Sequence, residues 1–167
     1  MLRFRPTLPA SLLVAALTIP GACKDSPTGP TTRAVSWSCS AVVTPQAPQT
    51  GDAPNVSRLL LNLTCQSPTL GNFTGSAAQI VTFTNPTTGA FTLTNNVTYQ
   101  LSGSTIVTTA TGSGTPTGPT TLAFSGPETV RSGTGTFAAV TGTMSYSGSA
   151  DQATGKGQFS ASGTLTY

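Results

Sequence analysis

A chain of 167 residues is long enough for one core-bearing domain, and 18 glycines, 13 prolines and threonine as the commonest residue point to β structure broken by tight turns. Only 7% of residues are charged and 37% are hydrophobic, with many Val, Leu and Phe, which excludes a solvated disordered chain. The formal charge of +3 sits at the N-terminus: beyond Arg33, the cations Arg58, Arg131 and Lys156 are balanced by Asp52, Glu128 and Asp151, which excludes the basic groove of a nucleic-acid binder.

Residues 1–22 read as an export signal. "MLRFRP" supplies a positive start, Ala10 to Ile19 an apolar run too short to span a bilayer, and Gly21-Ala22 the small residues of a cleavage site. Cys23 follows directly, and the arrangement resembles a bacterial lipobox, in which the cysteine after the cleavage point is lipidated and becomes the new N-terminus. Pro20 departs from that pattern by standing where a small or aliphatic residue is usual. The resemblance implies acylation of Cys23 and a place in the cell envelope, held to a membrane by the lipid; an ordinary secretory peptide and a soluble secreted protein are the alternative. Residues 23–34 are polar, Pro-rich and aperiodic, as a tether should be. The folded domain is expected over residues 35–167.

The first strand comes from "VSWSCSAVV", whose alternation puts Trp37, Cys39, Ala41 and Val43 on one face and Ser36, Ser38 and Ser40 on the other. In "VSRLLLNLTC", Leu59, Leu61, Leu63 and Cys65 form a second apolar face, with Leu60 interrupting the polar one. An antiparallel hairpin through the Pro-rich stretch near residues 45–55 sets Cys39 opposite Cys65 and Val43 opposite Leu61. A disulfide is expected there, suited to an oxidising compartment, with two buried free thiols as the alternative. Two cysteines in a chain without histidine do not make a tetrahedral metal site, and no metal or other cofactor is expected.

Beyond Cys65 the chain repeats one grammar, short Thr- and Val-rich runs between turn signals: "AQIVTFT", "AFTLT", "VTYQL", "TIVTTAT", "TLAFSG", "TGTMSYSG" and "GQFSASGTLTY". Residues 112–120, "GSGTPTGPT", read as a flexible loop. In the last run Phe159, Ala161, Gly163, Leu165 and Tyr167 share a face, the mark of a half-buried antiparallel strand. So many strands in one domain must hide their edges. The expected fold is therefore all-β, an antiparallel eight-stranded barrel, with a β-sandwich as the alternative.

The stretch "GTGTFAAVTGTMSY", from Gly133, meets the letter of a dinucleotide fingerprint, but a strand pattern follows where a crossover helix is required. Its glycines are expected to turn a corner, with Phe137 and Val140 dipping into the core. "SGTGTFAAVTGTMSYSG" resembles the Gly-Thr-Gly-x-Phe-Ala corner of the barrel family that includes allene oxide cyclases and dirigent proteins, matching at Gly133, Thr134, Gly135, Phe137, Ala138 and Gly142; the closing "SASGTLTY" is similar to that family's last strand. The resemblance implies an eight-stranded barrel with an apolar interior, and enzymes of the family steer hydrophobic intermediates by shape. No position here carries over their active-site residues.

Catalytic chemistry finds few carriers. The acids are isolated, and Glu128 with Arg131 reads as a solvated pair on the rim. The functional expectation is a non-catalytic, lipid-anchored envelope protein whose barrel has room for a small hydrophobic ligand. A surface interaction protein with a filled barrel is the first alternative, and a shape-steered cyclase or isomerase, needing a polar group near the cavity floor, the second.

Overall fold

The computed structural model describes residues 29–167. The export signal, Cys23 and the first part of the tether lie outside them. Eight strands follow in order: β1 (Thr32–Gln46), β2 (Val56–Ser67), β3 (Gly71–Asn85), β4 (Ala90–Leu101), β5 (Ser104–Pro116), β6 (Thr121–Gly133), β7 (Thr141–Asp151) and β8 (Lys156–Thr166). Each pairs antiparallel with the next, and β8 returns to β1, from Thr32↔Thr166 to Val42↔Lys156, so the sheet closes as an eight-stranded barrel. The alternative sandwich does not form. Closure removes every free edge.

Period-two alternation does the sorting. Along β1, Val35, Trp37, Cys39 and Ala41 are buried while the serines between them are exposed. The β1–β2 register sets Cys39 against Cys65 and Val43 against Leu61, and the two cysteines are joined by a disulfide on the inward face.

Residues 112–120 are not the loop their composition suggests. β5 runs on through Pro116, with Gly114 paired to Phe91 on one side and Phe124 on the other. The reason is steric: a Cβ at Gly114 would overlap the Phe91 ring, and one at Gly112 the Tyr146 hydroxyl. These glycines yield barrel space to aromatic side chains, and only the short link from Thr117 turns.

The meander gives the barrel two unlike ends. The β2–β3, β4–β5 and β6–β7 connections share one end with the start of β1 and the finish of β8. That end is plugged. Trp37, Phe73 and Tyr99 stack edge-on with ring centroids 5.3–5.8 Å apart, and Phe137 meets Tyr167 at 4.7 Å. The opposite end carries the β1–β2, β3–β4, β5–β6 and β7–β8 connections and stays open.

Candidate functional site

At the open end, side chains from all eight strands enclose a cavity of about 300 Å³. Its walls are Val43, Leu59, Leu61, Val81, Leu93 and Val97, with Phe83, Phe91, Phe124 and Phe159 around them. At the closed end Trp37, Phe73, Tyr99 and Phe137 fill the lumen, whereas toward the mouth the aliphatic walls and the four Phe rings leave it hollow. Eight strands enclose either a filled core or room for one small ligand, and this barrel does one at each end.

The floor is polar. Glu128, on β6, is 2% exposed and lines the cavity. Its Oε1 accepts a hydrogen bond from the Tyr99 hydroxyl of β4 at 3.0 Å and another from the Thr108 hydroxyl of β5. Oε2 receives neither bond, which leaves it the uncommitted oxygen of a carboxyl that lines the cavity. Burial raises the Glu128 carboxyl above its ordinary range, opposed by the two hydroxyl donors. The Tyr99 hydroxyl is pushed well up by burial and then by the Glu128 charge, and Tyr146 is pushed up to about 12 by the same two causes. The Tyr146 hydroxyl donates to the Thr111 carbonyl at 3.1 Å. Asn95 also lines the cavity, and its Oδ1 is sealed without a partner, as is the Trp37 indole N–H.

Glu128 therefore corrects the sequence reading. It is no rim residue and makes no pair with Arg131, whose Nε donates to the Thr109 hydroxyl at 2.7 Å on the outside. A signal for this was present: Leu122, Phe124, Glu128 and Val130 share one parity along β6, an apolar set with an acid in it. Among the described residues the ion pair, half-buried, is elsewhere. Arg58 grips Asp52 through two bonds of 2.8 Å beside the mouth and, with the Gln49 N–H, holds the Asp52 carboxyl down at about 2.

The Gly133–Gly142 segment lies at the plugged end, away from the cavity. Gly135 has φ +60° and opens a 3-10 turn, Gly135–Phe137, before β7. A Cβ at Gly133 would meet the Phe137 and Thr105 carbonyls, and one at Gly142 the Thr164 carbonyl. The segment is tied to β5 by the Thr136 N–H on the Ser104 hydroxyl (3.1 Å) and by the hydroxyl pair Thr105 and Thr134 (2.8 Å). Phe137 and Val140 are buried, while Ala138 is exposed. Among the described residues, no three of His, Cys, Asp and Glu are grouped as a metal site.

No protein-family model and no curated protein matches the chain. Among solved structures, a pterocarpan synthase dirigent protein is similar, with a TM-score of 0.50 over 83% of this chain and 92% of that one. The fold is dirigent-like. At 14% identity the likeness speaks for the barrel alone, so the chemistry of this dirigent-like barrel rests on its own residues: an apolar chamber with one mouth and a buried carboxyl at its floor.

Proposed function

We propose that this is an exported protein, anchored in the cell envelope by a lipid on Cys23, whose barrel takes up a small hydrophobic molecule without transforming it. The observation that carries the reading is the one-ended apolar cavity of about 300 Å³, at the lower end of the size range of ligand sites. A hollow lumen speaks against a barrel filled by its own side chains. The export signal, the lipobox-like Gly21-Ala22-Cys23 and the polar tether support the anchored placement. A neutral fluorescent dye such as N-phenyl-1-naphthylamine should bind with about one-to-one stoichiometry. Leu61→Trp and Val81→Trp, which fill the lumen, should each weaken binding by about tenfold or more, equivalent to about 1.4 kcal/mol. Dye binding that ignores both substitutions would place the ligand elsewhere and end the reading.

One observation favours a second reading, a shape-steered cyclase or isomerase: the Glu128 carboxyl faces the chamber and burial raises its pKa, as a proton donor inside an apolar site requires. Under that reading, Glu128→Gln abolishes turnover of a substrate and leaves dye binding intact.

A further inference from the structure

The cavity floor has a defined polarity. Neither Lys nor Arg lines the chamber, and its two ionisable acids are Glu128 at the floor and Asp151 near the mouth. The hydroxyls around the floor are already committed: Tyr99 and Thr108 both donate to Glu128 Oε1, and Tyr146 donates to the Thr111 carbonyl. What is left for a visitor is the Glu128 carboxyl, with the Asn95 and Gln79 amides in the wall. A carboxylate set against Glu128 finds no cation and no uncommitted hydroxyl, only amide N–H groups in the wall, and faces another carboxyl group; desolvating an anion without a counter-charge is costly. A hydroxyl fits either state of Glu128, since it donates to an ionised Oε2 and accepts from a protonated one.

We propose that the cavity selects a hydrophobic molecule whose head group donates a hydrogen bond to the Glu128 carboxyl, a hydroxyl above all, and rejects the corresponding carboxylate. This rests on the reading of the barrel as a ligand-binding chamber and gives it a chemical class: medium-sized hydrophobic alcohols, and not fatty-acid anions.

The test is displacement of N-phenyl-1-naphthylamine from the full mature protein, near neutral pH, by decanol, decylammonium and decanoate. Decanol and decylammonium should each displace the dye at concentrations about tenfold or more below decanoate, a gap of about 1.4 kcal/mol. The ammonium is the decisive control, because it carries as full a charge as decanoate and loses as much hydration. Glu128→Gln, checked for folding by thermal melting, should bring decanoate to within about threefold of decylammonium. Decanoate matching decylammonium on the native chain overturns the inference, as does a tenfold gap that survives Glu128→Gln. If that variant does not fold, the ammonium-to-carboxylate ratio on the native chain decides alone. The two readings fail separately: a dye that never binds removes the binding chamber and the inference with it, whereas a dye displaced equally by all three molecules removes only the head-group selectivity.

Discussion

Burying one carboxyl is the most consequential choice in this molecule, and its cost is met locally. Glu128 has two hydroxyl donors on one oxygen, so Glu128→Leu strands the Tyr99 and Thr108 hydroxyls in the interior and should cost about 2–4 kcal/mol by denaturant titration. Glu128→Gln keeps an acceptor for both and should cost far less. The pH dependence has a definite sign. Because the folded-state pKa of Glu128 lies above its ordinary value, its contribution to stability is fully present below that ordinary value and is lost as pH rises through the folded one. As pH rises above the ordinary Glu value the native chain should therefore lose stability relative to Glu128→Gln, and parallel profiles would contradict the burial. Asp52 works the other way: its stabilising pair with Arg58 is present above the ordinary Asp value and is lost only as pH falls through about 2. None of the Glu128 environment was legible as a motif. Tyr99 and Thr108, on two other strands, stand 29 and 20 residues before Glu128, and only the barrel register brings them together.

At the scale of elements, legibility followed periodicity. β1, β2 and β8 alternate so regularly that their inward faces, and even the Cys39↔Cys65 and Val43↔Leu61 pairings, could be written from sequence. β5 could not, because glycine carries two meanings and local composition does not choose between them. Gly112 and Gly114 make room for the Tyr146 and Phe91 side chains packed over them, a tertiary reason invisible in the window that contains them. The disulfide closes a loop with a sequence separation of 26, and replacing both cysteines by alanine should cost about 3–4 kcal/mol through the freed unfolded chain. At the plugged end, Gly135→Val meets a left-handed φ and the Ser104 side chain. It should destabilise by about 1–3 kcal/mol, and Phe137→Ala by about 3 kcal/mol or more. Thermal melting of the single variants, with unchanged melting for Gly135→Val, would show that the 3-10 turn is not a structural hinge.

For the whole molecule, the direction in which the chain enters the barrel matters as much as the barrel itself. β1 begins at the plugged end, where Thr32 pairs with Thr166, so a tether running back to an acylated Cys23 leaves the barrel opposite the mouth. Nine residues from Cys23 to Thr32 span at most about 30 Å when fully extended. The barrel is about as tall as that: the 13 residues of β5, at about 3.3 Å each and tilted by about 40°, rise about 30 Å. Under the proposed lipid anchor, a tether of that length would hold the plugged end near the bilayer and leave the mouth, with its Asp52–Arg58 pair and Phe83, facing the aqueous side. In that orientation the proposed ligand would arrive from water or from another carrier, not by lateral entry from the membrane. With the acylated protein on vesicles and dye in the cavity, aqueous iodide should quench the dye efficiently, while nitroxide-labelled lipids should leave it nearly unquenched. The reverse pattern would place the mouth on the bilayer. Cys23→Ala should release the protein from the membrane fraction with its dye affinity unchanged, and retention of that variant on membranes would remove the lipid anchor from the account.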